Sequence, residues 1–288
     1  MRTDKIDICD DPSESYLSAL GVHEYWERGY WVSPKLFDDE QIERLRAAHE
    51  RLWRGDFDGP ASQYGQPKVL ESALQVRQQC NAFWLNTEIG AAVQSPLLGA
   101  IAARLMRVPR VRLWHDQAIY KPGQGSDGTS SAGNVGWHQD YGYWQASDTT
   151  NLCTAWVALQ DTDLGNGGMR TIVGSHRWGF IPGSDTFWEQ DLDGLRERYQ
   201  AKGEWLDEPC VLRAGQVTFH HALTLHGSGP NLSNAPRLSV VAHMMPADTR
   251  FSGSAQWHPN VVFLGPNPRA GQPFEGPCFP ELWPRATG

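Results

Sequence analysis

Nothing in this chain divides it. Its 288 residues contain no internal repeat, low-complexity tract or long linker. One domain over 1–288 is therefore expected, large enough to bury a substantial core. No cluster of Lys and Arg is present, and the formal net charge is −8; both features argue against a nucleic-acid surface. There is no C-x-x-C pair. The five Cys, at 9, 80, 153, 210 and 278, are odd in number and scattered, which excludes a zinc ribbon and a disulfide framework. An unbroken apolar run of 18 residues and a charged-then-apolar leader are also missing. The expectation is a reduced, cytoplasmic protein without a membrane segment. Oligomeric state has no signature in the sequence.

Tryptophan is abundant, with 13 residues, a count that suits a β-rich fold around an aromatic-lined cavity. Helical signals come first. A short helix is expected over 16–25, leading to a brief strand at 29–32. A second helix is expected over 39–54, where Ile42, Leu45, His49 and Leu52 recur at helical spacing, with acids early and Arg late. Residues 86–105 read as one or two helices broken near Ser95-Pro96. The pattern then turns to short strands: 111–121, 152–159, 169–173, 211–212, 217–220, 224–226 and 237–245. Residues 122–135 form a Gly- and Ser-rich loop, read as a flap. An acidic stretch at 179–210, containing a helix near 191–201, reads as an insertion or lid. Beyond Pro246 the chain is Pro- and Gly-rich and is expected to wrap the outside to 288, anchored by Trp257, Phe263, Phe279 and Trp283. Helices followed by many strands predict a mainly β barrel or jelly roll with an N-terminal helical layer.

The chemistry centres on Gly136-Trp137-His138-Gln139-Asp140. Alternate side chains of an extended strand share a face, so His138 and Asp140 aim at one point while Gln139 turns away. An imidazole and a carboxylate are two ligands of the 2-His-1-carboxylate set that leaves positions open on Fe(II). The second signal is the stretch from Phe219 through His220, His221 and His226 to Gly227-Ser228-Gly229, followed by Arg237. Turn formers between His226 and Arg237 fold the two segments back towards each other. His226 is the preferred second imidazole, with His220 beside the site or in the core. In the strand from 237, Arg237, Ser239, Val241 and His243 share one face, and Leu238, Val240, Ala242 and Met244 the other. An Arg projecting into a barrel needs a carboxylate partner, which its planar fork grips with two hydrogen bonds. His176 is read as a hydrogen-bonding loop cap.

Taken in order, H-x-D, a buried strand carrying Trp156, G-G-M-x-x-I-x-G-S-H-x-x-G, A-G-x-x-x-F-H, then H-G-S-G-P-N and Arg237 resemble the phytanoyl-CoA dioxygenase family. The resemblance spans roughly 20–250. It implies a double-stranded β-helix (jelly-roll, cupin-like) core and dependence on Fe(II), 2-oxoglutarate and O2. It implies that His138, Asp140 and His226 bind iron and that Arg237 and Ser228 hold the distal carboxylate of 2-oxoglutarate. Trp156 and Gln117 match positions near the co-substrate, and Arg77 loosely matches a family Lys facing it. Val173 stands where the family commonly has Pro, a change confined to a turn.

The implied reaction hydroxylates an unactivated C–H of a small molecule or natural product, releasing succinate and CO2. Asp140 matters here, because related halogenases lack the carboxylate. Desaturation, cyclisation and epimerisation remain open alternatives, as do a Zn or Mn hydrolase or isomerase on the same scaffold and a non-catalytic binding jelly roll. Tyr141, Tyr143, Trp144, Trp188 and His243 are the candidate walls of the substrate pocket.

Overall fold

The computed structural model describes residues 11–59, 76–124, 133–254 and 258–284. The N-terminal part holds α1 (Ala19–Arg28), β1 (Tyr30–Val32), α2 (Asp39–Arg54), β2 (Arg77–Cys80), α3 (Thr87–Val93) and α4 (Pro96–Met106). Long strands follow: β3 (Val111–Lys121), β4 (Val135–His138), β5 (Cys153–Ala158) and β6 (Met169–Ile172). Then come α5 (Leu192–Tyr199), β7 (Asp207–Pro209), β8 (Val217–His221), β9 (His226–Ser228), β10 (Arg237–Pro246) and β11 (Glu281–Trp283).

Local chemistry sets these boundaries. The helix expected at 16–25 starts at Ala19 because the Ser18 side chain accepts from Gly21 N, and it runs on to the left-handed Gly29. α2 has the expected bounds. Asp38 and Gln41 form a reciprocal capping box, Arg51 and Arg54 lie in the last turn, and Ile42, Leu45, His49 and Leu52 are buried. The apolar stretch Thr87–Met106 is long enough by composition to cross a membrane. It is two helices, α3 and α4, meeting at Gln94 and Ser95, and Val93, Leu98, Ile101 and Leu105 pack in the main core.

Two antiparallel sheets form the jelly roll. The larger runs β1-β8-β5-β10-β3-β11, with β2 also on β3; the smaller runs β4-β9-β6-β7. Pleating divides β10. Val240, Ala242 and Met244 join α1–α4 in the main core, while Arg237, Val241 and His243 line a cavity between the sheets. β5 is buried on both sides, as expected: Cys153, Ala155 and Val157 face the helices, and Thr154 and Trp156 face the cavity.

Three expectations need correction. Leu212 makes only an isolated bridge to Thr162. The strand forms earlier, at Asp207–Pro209, where Arg170 can grip Asp207 while β7 pairs with β6; the stretch 179–210 therefore ends inside the smaller sheet. The C-terminal segment does more than wrap, since β11 extends the larger sheet along the edge of β3. Phe279 is fully buried against Trp114 and Phe274, and Phe263 and Trp283 are partly buried. Trp257, and most of the loop read as a flap (125–132), lie outside the described residues.

His49 is a neutral core residue. Its Nδ1 accepts from Trp53 Nε1 at 2.8 Å, and burial lowers its pKa to about 4. The unfolded chain therefore binds a proton at higher pH than the native one, and stability drains away as pH falls from about 6.5 to 4. His49→Leu cannot titrate. Between pH 7 and 4.5 it should lose about 2 kcal/mol less unfolding free energy than the parent, measured by denaturant titration at each pH.

Candidate active site

β4 ends at His138, and the chain turns directly into a 3-10 segment, Asp140–Tyr143. Gly136 permits this path, because a Cβ there would collide with the Thr186 carbonyl oxygen. Antiparallel pairing of β4 with β9 sets His138 opposite His226. The ring centres are 4.1 Å apart. His138 Nε2 lies 3.8 Å and His226 Nε2 3.7 Å from Asp140 Oδ1. One donor atom from each of the three residues lies within 4.8 Å of the others, the spacing expected of ligands ~2 Å from one ion.

Hydrogen bonds fix the donor atoms. His138 Nδ1 lies 2.8 Å from Gly136 O and His226 Nδ1 3.0 Å from Thr224 O. A carbonyl can only accept, so each Nδ1 carries the proton and each Nε2 turns a bare lone pair towards Asp140. Burial lowers both imidazole pKa values, keeping the rings neutral. Burial opposes the charge of Asp140, but the facing imidazole dipoles, His226 first, and the hydrogen bond from His220 outweigh it and hold the carboxyl well below the usual range. Neutral imidazoles and an ionised carboxylate are the protonation states that metal binding requires.

A transverse row of the larger sheet supports Asp140 from behind. Cross-strand register aligns His220 (β8), Thr154 (β5), His243 (β10) and His115 (β3), and directly opposed residues share a face. Thr154 Oγ1 donates to Asp140 Oδ2 at 2.6 Å, and His220 Nε2 donates to the same oxygen at 3.1 Å. Oδ2 is thus occupied, leaving Oδ1 for the imidazoles.

Another part of the cavity is cationic. Arg237, opposite Lys121 across β10 and β3, lies with its guanidinium 5.1 Å from the Trp156 ring centre. Its buried Nε has no hydrogen-bond partner among the described residues. Lys121, fully buried, donates to Ser228 Oγ at 2.7 Å and also to Gly229 O. Burial, then Arg237, pushes its pKa well down; burial lowers that of Arg237 to about 10. Two desolvated basic groups side by side call for an anion, which would also favour the charged form of Lys121, and a dicarboxylate fits. With two bare imidazole nitrogens at the other site, the residues present fit both a divalent metal and 2-oxoglutarate.

The family model described as phytanoyl-CoA dioxygenase (PhyH) matches residues 25–239. The chain belongs to the phytanoyl-CoA dioxygenase family. Peroxisomal phytanoyl-CoA dioxygenase of Rattus norvegicus is 25% identical over 239 residues, 79% of this chain and 68% of that protein. Ectoine dioxygenase of Bordetella parapertussis is 28% identical over 243 residues, 78% and 74% of the two chains. Among solved structures, the epimerase SnoN in complex with Fe3+, alpha ketoglutarate and nogalamycin RO superposes with a TM-score of 0.69 at 25% identity, covering 91% of this chain and 97% of that one. The carbocyclase SnoK, at a TM-score of 0.71 and 24% identity, covers 92% and 96% and shares the fold. This member of the phytanoyl-CoA dioxygenase family is an Fe(II)- and 2-oxoglutarate-dependent dioxygenase.

Most of the residues picked out from the sequence meet in one cavity of about 270 Å³: His138, Asp140, His226, Arg237, Ser228, Trp156, Gln117, Tyr143, Trp144, Trp188 and His243. Two do not. Arg77 lies over the Tyr120 ring, because the pleat of β2 gives the cavity to Gln78 and Cys80 instead. Tyr141 packs edge-on to Phe180, at 5.3 Å, outside the cavity wall. His176 bonds to Trp26 O at 2.9 Å, in keeping with the expected cap. Sequence reasoning missed Lys121, Thr154, His115, His258 and Asn260. The one available signal was a lysine inside an otherwise buried strand.

Thr154→Val removes one of the two donors to Asp140 Oδ2 while keeping the side-chain volume. Fe(II) affinity, measured by anaerobic titration, should fall about 10–100-fold with little change in folding.

Proposed function

We propose that His138, Asp140 and His226 hold the iron through two Nε2 atoms and Oδ1, and that the enzyme hydroxylates an unactivated C–H of a small molecule. The observation that carries this reading is the division of Asp140: one oxygen faces both bare imidazole nitrogens and the other is fully used by Thr154 and His220. Asp140 then binds through one oxygen, and Thr154 and His220 stop it from swinging into the positions that substrates need. Family membership sets aside the Zn or Mn hydrolase and the non-catalytic jelly roll.

When bound, iron with 2-oxoglutarate supplies O2 activation and C–H oxidation, with succinate and CO2 as co-products. The protein's part is to position and to exclude water. Arg237, Lys121 and Ser228 orient the distal carboxylate. Trp156 covers the Arg237 guanidinium, which strengthens the charge interaction by lowering the local dielectric. Tyr143, Trp144 and Phe187 supply apolar walls near the metal site, and Trp188 stands half-exposed at the rim. These surroundings suit a small, largely apolar substrate and, among the described residues, offer no basic cluster for a phosphate-rich carrier. We place the enzyme in a reducing, cytoplasmic setting, which agrees with Cys153 and Cys210 standing as buried free thiols.

A second outcome on the same site is epimerisation, because SnoN, the epimerase with nogalamycin RO bound, is among the proteins this chain is similar to. The two differ in the fate of oxygen. Hydroxylation puts one 18O from 18O2 into the product and one into succinate, whereas epimerisation labels succinate alone. A succinate-release screen of hydroxylated polycyclic and alicyclic compounds, followed by 18O2 turnover of the hit, should give a singly labelled product; an unlabelled one would refute hydroxylation. Independently, Arg237→Met should weaken 2-oxoglutarate binding about a hundredfold, and Lys121→Met should weaken it in the same direction, both read by calorimetry on the metal-loaded protein.

A further inference from the structure

Beyond Asp140 the transverse row continues into groups that metal and co-substrate binding leave unused. His243 and His115 face each other across β10 and β3 with ring centres 4.3 Å apart, and His258 lies 4.8 Å from His115. All three are buried and line the same cavity as the metal ligands. They belong to the end away from the co-substrate anchor: Arg237 and His243 are six residues apart on one strand face, about 20 Å in an extended strand.

The proton on His243 can be assigned. The hydroxyl of Thr154 has one hydrogen, and it goes to Asp140 Oδ2. Thr154 Oγ1 is also 2.9 Å from His243 Nδ1, so that nitrogen must donate to it. A neutral His243 therefore carries its proton on Nδ1, and Nε2 is a bare acceptor. Nε2 is buried and has no hydrogen-bond partner among the described residues. A buried acceptor left unmet costs the full desolvation of the group, so a ligand that donates to it gains the difference. Both ring nitrogens of His115 are also without a hydrogen-bond partner among the described residues, although the neighbouring Asp116 backbone acts to raise its pKa. That ring offers one donor and one acceptor.

The arrangement is built into the fold. β3 bulges at Trp114, since His243 pairs with His115 and Met244 with Leu113. The bulge takes Trp114 out of the ladder and into a cluster with Phe274 and Phe279, while His115 keeps the cavity-facing parity of Gln117 and Ile119. His258 packs on Trp114 at 4.7 Å, and Asn260 donates to Trp114 O at 2.9 Å. Trp144 closes the side, its ring centre 4.7 Å from that of His243.

We propose that His243 and His115 form a recognition subsite for a hydroxyl group on a neutral, otherwise apolar substrate, which they hold beside the metal centre. The substrate hydroxyl donates to His243 Nε2 and completes its bonding with His115. A carboxylate or phosphate is rejected, having no hydrogen for His243 and lying near the charge of Asp140. The inference deepens the oxygenase reading of this cavity and rests on it for the adjacent metal, although the hydroxyl preference is measurable by itself.

The test uses full-length enzyme loaded anaerobically with Fe(II) and 2-oxoglutarate, with four matched probes: 1-indanol, indane, 1-aminoindane and indane-1-carboxylate. Calorimetry reads probe binding, and the visible charge-transfer band separately reads the oxygenase centre. The expected result is that 1-indanol binds about tenfold tighter than indane, with the acid no better than indane and the amine, which when protonated can donate to His243 but offers no lone pair to His115, no tighter than the alcohol. That preference should disappear in His243→Phe and in His115→Phe, the second of which leaves the Thr154 contact intact. Equal binding of 1-indanol and indane overturns the proposal, as does no binding of 1-indanol, a preference for amine or acid, or survival of the alcohol preference in both variants. Loss of the band with the preference retained would refute the oxygenase centre and leave the subsite standing.

Discussion

The two oxygens of Asp140 have different partners, and the arrangement of the cavity depends on that division. Oδ1 faces two imidazole nitrogens at 3.7 and 3.8 Å, while Oδ2 accepts from Thr154 and His220. A carboxylate free at both oxygens could chelate an ion and occupy a position that co-substrate or oxygen requires. Here the larger sheet supplies the restraint. Thr154 and His220 are neighbours across β5 and β8, so a shift of register in either strand would free the carboxylate.

From that point the cavity is polarised along β10. At one end Arg237 and Lys121 are two basic groups buried side by side, an arrangement that is costly when empty and that, as proposed, a dicarboxylate relieves. At the other, His243 and His115 are neutral imidazoles bearing unused hydrogen-bonding atoms. On the proposed reading, one strand face separates recognition of a charged co-substrate from recognition of a neutral substrate, with His138 and His226 reaching in from the smaller sheet. The N-terminal helices contribute by filling the opposite face: Val240, Ala242 and Met244 pack under them, which fixes the pleat that aims Arg237 and His243 inward.

How far the sequence revealed this depended on the range of the interaction. α2 was legible because its apolar spacing and its end charges, acids early and Arg late, both lie within the helix. His138 and Asp140 were legible because two residues of extended chain suffice to align them. His226 and Arg237 became legible through turn formers and through resemblance to a family. Thr154 was not, because its role comes from sitting opposite His220 on one side and His243 on the other. Lys121 and His115 share the pleat parity of Gln117, but what they meet in the cavity, Arg237 and His243, is set by the pairing of β3 with β10. Arg77 misled because a loose motif match cannot fix the parity of a four-residue strand, and the adjacent Gln78 took the inward position.

The central claim is most directly tested by a crystal structure grown anaerobically with Fe(II) and 2-oxoglutarate, with the metal located by anomalous scattering at the iron edge. The account predicts one ion within about 2.0–2.3 Å of His138 Nε2, Asp140 Oδ1 and His226 Nε2, with Asp140 Oδ2 still bonded to Thr154 and His220. An ion elsewhere, or one chelated by both oxygens of Asp140, would contradict it.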